Sequence, residues 1–324
     1  MKKTLISFVI PCFRSENTIK SVIDEVIATV QQREHYDYEI VAVNDCSPDD
    51  VMGVLRTLAA ADSKIKVIEL TKNVGKHAAV LAGYSFTVGC YIVDLDDDMQ
   101  SPIPELWRLL KPLEQGECDY VTAKYTTRKH PTWKRIGSYA NLKMSAVMLD
   151  KPQNLRFENF SAMHRFVVQE IINYRNPYPY LEGLVLRITS RIQTVTMEQR
   201  ERGDALSTGF TFRKSISLWV NGLTAFSVKP LRVASLIGLA TATSGFVYAA
   251  YIILRRLFDA QIMSGYSSLM AVLLITSGIV MLCLGMIGEY VGRIYICINS
   301  APQSVIKATW NISRTLQQQP GEPE

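Results

Sequence analysis

The sequence predicts an α/β domain with a mostly parallel sheet, followed by an interfacial helix and a two-helix transmembrane hairpin. Two observations lead to this prediction: apolar β-branched segments alternate with helix-like segments over residues 1–210, and two long uncharged runs follow them. The 324 residues carry a net charge of +5, with 48% hydrophobic and 20% charged residues. This composition excludes both a disordered chain and a protein embedded entirely in a membrane.

Strand-like and helix-like segments alternate along the predicted α/β domain. The strand-like segments are 5–10, 38–44, 65–70, 91–95 and 120–123, and the helix-like segments are 18–30, 49–60, 76–86 and 104–110. An alternation of this kind is typical of a parallel sheet with helices on both faces. Ligands of such sheets bind beyond the carboxyl ends of the strands, so the residues that follow each strand are the candidate site residues.

Two uncharged runs, 233–254 and 269–287, are each long enough to cross a bilayer at about 1.5 Å per residue. The short loop between them favours a transmembrane hairpin within residues 230–295 over two buried core helices. Basic residues are more numerous before and after the hairpin than inside its loop, which favours cytoplasmic termini and a cytoplasmic tail over 296–324. The six cysteines show no CxxC spacing, as expected for free thiols in a reducing compartment.

Residues 211–229, just before the hairpin, carry an apolar stripe at helical spacing. Its members are Phe212, Ile216, Trp219, Leu223 and Phe226. The stripe predicts an amphipathic helix in the membrane interface, and a helix packed on the α/β domain is the alternative for part of its length.

Acidic residues crowd the end of the fourth predicted strand. Asp94, Asp96, Asp97 and Asp98 lie within five positions and would repel one another unless a cation or several hydrogen-bond donors offset their charge. Carboxylates at alternate positions suit Mg²⁺ or Mn²⁺ that is also held by substrate phosphates. An aspartate after a strand is also a common turn former or helix cap, so the position of the cluster at a strand end is what favours a metal site.

Several motifs together resemble those of a known family. They are IPCF (10–13), VNDCS (43–47), NVGKHAAVLAG (73–83), LDDDMQSP (95–102), FSVKPLR (226–232) and GMIGEYVGRIY (285–295). Over about residues 5–300 the chain resembles the inverting family 2 glycosyltransferases of GT-A fold that move a sugar from a nucleotide to a polyprenyl phosphate. This subgroup includes the dolichyl-phosphate mannose synthases and the bacterial undecaprenyl-phosphate, or bactoprenol, glucosyltransferases.

The resemblance implies roles for individual residues at the strand ends. Nucleotide-sugar binding would fall on Pro11, Phe13, Asp45, Lys76 and Asp96, with Asp45 near the base and Asp96 near the ribose and diphosphate. A divalent metal, Mg²⁺ or Mn²⁺, would be held by Asp98, Gln100 and Asp96. Asp94 and Asp97 would then be supporting or solvent-facing residues.

A phosphate acceptor is already nucleophilic at neutral pH, so the enzyme must above all bring two anions together. Candidate cations for the acceptor phosphate are Lys124, Arg128, Lys134, Arg135 and Arg202. Each could also be an ordinary exposed cation. Arg128 and Arg202 fall at basic positions of the family pattern. The resemblance therefore implies that they are catalytic residues, as are Asp96 and Asp98.

The chain departs from the family pattern at three places. Asn159-Phe160-Ser161 stands where many relatives have Asp-Phe-Arg, Gly209 replaces a lysine, and Phe13-Arg14-Ser15 replaces Tyr-Asn-Glu. These departures bear on which sugar is recognised more than on the reaction. Glu182 could then supply an acid to the sugar hydroxyls, act as a base, or be a surface residue.

The resemblance implies an enzyme of the bacterial inner membrane that transfers a hexose or modified hexose. The donor would be UDP-linked and the acceptor undecaprenyl phosphate, for cell-envelope glycan or lipopolysaccharide modification, and no nucleic acid is expected as a partner. A GxxxG at Gly288 and Gly292 suggests a homo-oligomer. The alternative is a non-catalytic nucleotide-sugar-binding partner of a flippase or second transferase. A processive polysaccharide synthase is disfavoured, since it would need more membrane helices and a QxxRW motif.

Overall fold

The computed structural model describes residues 3–125, 155, 157–176, 179–198, 200, 229–258, 266–298 and 302–312. The chain divides into two compact units: the first consists of Met1–Gly209 and Ser300–Glu324, and the second of Phe210–Asn299. The first unit is therefore built from two separate stretches of sequence.

Strands and helices alternate through the first unit. The strands are β1 (Thr4–Cys12), β2 (Tyr36–Asn44), β3 (Ile65–Leu70), β4 (Tyr91–Asp94), β5 (Tyr120–Tyr125), β6 (Ser161–His164), β7 (Ile192–Met197) and β8 (Ile306–Trp310). The helices are α1 (Ile19–Gln31), α2 (Val51–Ala61), α3 (Lys76–Tyr84), α4 (Leu106–Glu114), α5 (Arg165–Ile172) and α6 (Leu181–Ile188), and a 3₁₀ turn (Ile103–Glu105) precedes α4. The five predicted strands and four predicted helices are confirmed, with ends that differ by a few residues.

The strands form one sheet in the order β7-β5-β6-β4-β1-β2-β3-β8. The central strands β4, β1, β2 and β3 are parallel, whereas β6 runs antiparallel between β4 and β5. The predicted mostly parallel sheet is therefore confirmed. Because β1, β2 and β4 are neighbours, their carboxyl ends meet at one edge of the sheet.

Both faces of the sheet are covered, which explains why its strands are apolar at nearly every position. Phe8 and Ile10 of β1 belong to the main core together with side chains of α1, α2 and α4. On the opposite face α3 approaches closely: a Cβ built on Gly83 would lie 2.7 Å from Val9 and 3.0 Å from Val43. The absence of a side chain at Gly83 lets α3 pack directly on the sheet.

Strand β8 lies within residues 296–324, the predicted C-terminal tail, and the sequence analysis did not predict a strand there. It pairs antiparallel with β3, with Val67 opposite Trp310. At its end Asn311 adopts a left-handed φ of +57° and donates its side-chain amide to the carbonyls of Ala59 at 2.6 Å and Ile65 at 2.9 Å. The returning chain therefore completes the sheet of the first unit.

The second unit contains two long helices, α7 (Lys229–Phe258) and α8 (Tyr266–Ile298), which include both predicted spans. Large apolar side chains such as Phe246 and Met281 are exposed on them. Within the described residues, one segment, Ile275–Gly292, is long and apolar enough to cross a membrane, and Ala234–Tyr248 is a shorter apolar segment. The predicted interfacial helix, 211–229, lies outside the described residues except for Lys229, which begins α7.

Candidate active site

The loops that follow β1 and β2 are held together by backbone hydrogen bonds. The N–H of Arg14 donates to Ser47 Oγ at 2.7 Å, and the N–H of Glu16 donates to Asp49 Oδ2 at 2.9 Å. In return the carboxylate of Glu16 accepts the N–H of Asp50 at 2.9 Å. The strand ends predicted to form a site therefore form one connected polar edge.

Asp45, directly after β2, is a buried carboxylate that fixes the start of α3. It is 3% exposed, and its two oxygens accept the N–H groups of Val74 at 2.7 Å and Gly75 at 2.9 Å. Burial raises the pKa of Asp45, and the two backbone bonds counteract part of that rise. Gly75 has a φ of +86°, a conformation that favours glycine. Asp45 thus positions the loop that delivers Lys76, a role that the sequence analysis missed, and its predicted contact with the base stays a prediction.

Lys76 and Asp96, both predicted to bind the donor, meet at this edge. The Lys76 ammonium forms an ion pair with Asp96 Oδ1, and the side-chain amide of Asn159 donates to Asp96 Oδ2. Lys76 comes from α3, Asp96 from the residues after β4, and Asn159 from the residue pair before β6. The family resemblance leads one to expect an acid at this position, and Asn159 instead gives Asp96 a hydrogen-bond donor.

We refer to residues 95–101, which connect β4 to the turn before α4, as the acidic loop. Leu95 is buried and its N–H donates to the carbonyl of Val9 at 3.3 Å, while Ser101 is buried at the other end. Asp97 Oδ2 accepts the N–H of Phe13 at 2.9 Å. Asp97 is therefore a supporting residue that holds the loop after β1.

The acidic loop carries two carboxylates besides Asp97, and both are predicted to bind the metal. Asp96 and Asp98 lie on either side of the anchored Asp97. Met99 has a φ of +62°, unusual for a residue with a side chain, and the N–H of Gln100 donates to Asp98 Oδ1 at 3.1 Å. Strained backbone of this kind is frequent at functional sites.

Asp94, the last residue of β4, directly precedes the acidic loop and accepts hydrogen bonds from neighbouring hydroxyl groups. Its Oδ2 accepts the hydroxyl of Tyr84 and, at 3.4 Å, that of Ser161. Burial raises the pKa of Asp94 to about 7. Its Oδ1 is buried without a hydrogen-bond partner in the part of the chain that the structure describes.

The side chains of the acidic loop fit a divalent cation of the predicted kind. Asp96, Asp98 and Gln100 offer hard oxygen atoms, which Mg²⁺ and Mn²⁺ prefer. Among the described residues, no three His, Cys, Asp or Glu side chains converge as a complete metal cage. This arrangement suits a cation bound by one or two carboxylates together with substrate phosphates, rather than by protein alone.

Two further residues of the site come from outside the acidic loop. Phe13 is 42% exposed, and the guanidinium of Arg14 lies 5.6 Å from the centre of its ring. An exposed aromatic ring beside the carboxyl ends of the strands offers a stacking surface for a base. Pro11 lies within β1, opposite Val43 of β2.

Glu182 is linked to the site through the start of α3. It accepts the hydroxyl of Tyr180 at 2.8 Å, and the Tyr180 ring lies edge-on to the His77 ring with 5.7 Å between their centres. His77 follows Lys76 directly, and burial together with the charge of Lys76 lowers its pKa to about 4. The predicted roles of Glu182, as an acid for the sugar hydroxyls, a base or a surface residue, stay predictions.

Most of the predicted acceptor-binding cations lie outside the described residues. These are Arg128, Lys134, Arg135 and Arg202. Lys124 is described and lies exposed near the end of β5.

Comparison with known proteins assigns the chain to a family. The family model for Glycosyl transferase family 2 matches residues 7–172, just over half of the chain, and this range includes the whole acidic loop. The chain is a family 2 glycosyltransferase. A second family model, the GtrB C-terminal hairpin, matches residues 229–294 of this glycosyltransferase. The predicted resemblance is thereby confirmed.

Relatives match this glycosyltransferase along nearly its whole length. It is 32% identical over 309 residues to the uncharacterized glycosyltransferase YkcC of Bacillus subtilis, with 94% of each chain covered. A prophage bactoprenol glucosyl transferase homolog of Escherichia coli is 30% identical over 305 residues, covering 93% of this chain and 98% of the relative. The undecaprenyl-phosphate 4-deoxy-4-formamido-L-arabinose transferase of Proteus mirabilis is 29% identical over 319 residues, 95% of each chain.

A solved structure confirms the predicted GT-A fold. Glucosyl-3-phosphoglycerate synthase from Mycobacterium tuberculosis, crystallised with uridine diphosphate, aligns with a TM-score of 0.50. The alignment covers 69% of this chain and 79% of that chain at 19% sequence identity. Similarity at that level of identity establishes the fold of the glycosyltransferase and nothing about its substrates.

Proposed function

We propose that this glycosyltransferase moves a hexose or modified hexose from a UDP-linked donor to undecaprenyl phosphate or a similar polyprenyl phosphate. The observation that supports it most is the ion pair between Lys76 and Asp96, which lies at the carboxyl ends of the strands in a family 2 domain. Full-length relatives named as bactoprenol glucosyl transferase and undecaprenyl-phosphate transferase support the lipid acceptor.

The donor lies, in this proposal, across the carboxyl ends of β1, β2 and β4. The Phe13 ring stacks on the base, and Asp45 holds the loop that places Lys76 beside the diphosphate. Asp96 and Asp98, with Gln100, would hold a divalent cation. When bound, Mg²⁺ or Mn²⁺ supplies positive charge to the diphosphate leaving group. The Lys76 ammonium, which is paired with Asp96, would also stabilise the negative charge that develops on the diphosphate.

In the transfer step a phosphate oxygen of the acceptor forms a bond to the anomeric carbon. The bond from that carbon to the diphosphate oxygen breaks, and the nucleoside diphosphate leaves with the electron pair, so the anomeric configuration inverts. A phosphate monoester is largely ionised at pH 7, because its second pKa is about 6. The acceptor oxygen therefore carries no proton that a base must remove, and neither Glu182 nor another side chain is needed for that purpose.

The remaining parts of the proposal concern the membrane. Lys124, Arg128, Lys134, Arg135 and Arg202 would neutralise the acceptor phosphate, and α7 and α8 would form the two-helix anchor in the bacterial inner membrane. The bias of basic residues in the sequence supports a cytoplasmic catalytic domain. Small residues at Gly288 and Gly292 permit close contact between helices of two copies, which supports a homo-oligomer.

A donor screen with the purified full-length protein tests the proposal. Radiolabelled UDP-glucose, UDP-galactose and UDP-N-acetylglucosamine are each supplied with Mg²⁺ or Mn²⁺ and undecaprenyl phosphate, and label in the organic phase is counted. The proposal expects one donor to give a lipid-linked product, with less than about 1% of that rate in Lys76→Met, because an oriented cation at developing charge contributes about 10²–10³ in rate. Lys20→Met, at an exposed lysine of α1, is the matched control and should keep full activity.

The second candidate function is a non-catalytic partner that binds nucleotide sugar for a flippase or another transferase. The replacement of the family acid by Asn159 is the observation in its favour. It predicts donor binding by the purified protein without lipid-linked product, so the screen separates the two functions.

A further inference from the structure

The end of β7 is held by two contacts, one with the protein core and one with α4. Met197, its last residue, is buried in the main core. The preceding carbonyl, of Thr196, accepts the guanidinium of Arg108 at 3.0 Å. The chain therefore leaves β7 in a fixed direction.

Three residues further on, Arg200 connects this segment to α1. Its Nη1 and Nη2 donate to the two carboxylate oxygens of Glu25 at 2.8 Å and 2.7 Å. This paired geometry fixes the guanidinium plane as well as its position, which a single contact would not do. The two residues are 175 positions apart in sequence, so the contact joins two distant segments of the chain.

The backbone of Arg200 also contacts the acidic loop. Its N–H donates to the carbonyl of Gln100 at 3.4 Å. Gln100 in turn donates its own N–H to Asp98 Oδ1 at 3.1 Å. A chain of contacts thus runs from Glu25 through Arg200 and Gln100 to a carboxylate of the acidic loop.

Helix α1 holds the other side of the acidic loop as well. The hydroxyl of Thr18, at the start of α1, donates to the carbonyl of Asp97 at 2.5 Å. The acidic loop is therefore anchored to α1 twice, directly at Asp97 and through Arg200 at Gln100. Asp98 lies between the two anchors.

We propose that Glu25 and Arg200 are positioning residues of sugar transfer, whose ion pair holds Gln100 and Asp98 in the geometry that binds the cation and the donor diphosphate. This inference rests on the proposed function of the acidic loop. Partly exposed ion pairs contribute little to stability, and the side chains of Arg200 and Glu25 are 38% and 21% exposed. Groups that orient metal ligands, in contrast, change metal affinity or activity by about 10–100-fold when they are replaced.

The test compares full-length wild-type protein with Glu25→Gln and with Arg200→Lys. Binding of Mn²⁺ in the presence of UDP is followed by electron paramagnetic resonance, and amide hydrogen exchange of residues 95–101 is measured in metal-free protein. Glu25→Gln should weaken Mn²⁺ binding about tenfold and speed exchange in the acidic loop. Arg200→Lys keeps the charge but loses the paired geometry, so it should fall between wild type and Glu25→Gln.

Asp24→Asn is the matched control, because Asp24 precedes Glu25 on α1 and its one ion pair among the described residues is an exposed one with Lys20. The double variant Glu25→Arg with Arg200→Glu restores an ion pair in the opposite sense and should recover most of the Mn²⁺ affinity. The inference is overturned if Glu25→Gln and Arg200→Lys match Asp24→Asn within twofold in both Mn²⁺ affinity and exchange rate. Wild-type protein that transfers no sugar would contradict the proposed function instead, and the exchange measurement would still decide whether the ion pair anchors the loop.

Discussion

Replacement of His77 provides a quantitative test of the buried environment at the start of α3. Burial and the charge of Lys76 lower the pKa of His77 from 6.5 to about 4. Between these values the unfolded chain binds a proton that the folded protein does not, so acid favours unfolding. This contribution to stability is fully present above about pH 6.5 and is lost as the pH falls toward 4.

The size of the effect follows from the two pKa values. Between pH 7 and pH 5, linkage gives a loss of about 2 kcal/mol in the free energy of unfolding from this one side chain. For a domain of this size, 1 kcal/mol corresponds to about 2–4 °C in Tm, so His77 should account for roughly 4–8 °C.

The assay is tryptophan-fluorescence thermal unfolding of purified wild-type protein, His77→Phe and His35→Gln at both pH values. His77→Phe keeps a ring against Tyr180 but cannot titrate, so its drop in Tm from pH 7 to pH 5 should be smaller than that of wild type by about 4–8 °C. His35 is exposed, and His35→Gln should retain the wild-type drop. An equal drop in His77→Phe and wild type would refute the reasoning.

Substitutions at three further positions test packing and charge. Gly89→Ala should lower the free energy of unfolding by about 1–3 kcal/mol, because its Cβ would lie 2.7 Å from the backbone nitrogen of Ser7; unchanged urea unfolding would contradict this. Asn311→Ala should lower Tm by several degrees, because the variant loses the side-chain amide hydrogen bonds and puts an alanine in a left-handed conformation. Asn311→Gly loses the same hydrogen bonds but tolerates that conformation, so its Tm should fall by less. Burial raises the pKa of Asp97 to about 6, so the contribution of this one side chain to stability is present below about pH 4 and is lost as the pH rises through 6. Asp97→Asn, whose carbonyl can still accept the N–H of Phe13, lacks this loss, so its Tm at pH 7.5 minus its Tm at pH 4.5 should exceed the same difference in wild type. An equal difference in the two proteins would contradict the prediction.

The central sheet could be predicted from sequence because each strand is a short apolar run bounded by polar turns, and local pattern identifies such runs. Strand β8 could not, since IKATW is short, lies at the edge of the sheet, and pairs with a strand more than two hundred residues earlier. Its neighbour across the sheet is determined by tertiary packing rather than by local sequence.

Residues of the candidate site could be predicted where several charged side chains lie in one short motif. They could not be predicted where their role depends on contacts between distant segments of the chain. The cluster from Asp94 to Asp98 stands out because four carboxylates crowd one strand end. The anchoring roles of Asp45 and Asp97 depend on backbone N–H groups of residues 74–75 and 13. No spacing in the sequence signals such bonds, nor the pairing of Glu25 with Arg200.

The most direct test of the central claim is the rate at which Asp98→Asn forms lipid-linked sugar from the preferred nucleotide sugar and undecaprenyl phosphate. Wild-type protein and Asp24→Asn serve as references, with folding checked by Tm and the product identified by mass spectrometry. Asp98→Asn removes one carboxylate charge from the acidic loop while keeping its size, and we predict a rate at least about 10²-fold below wild type. A rate equal to that of Asp24→Asn would contradict the account.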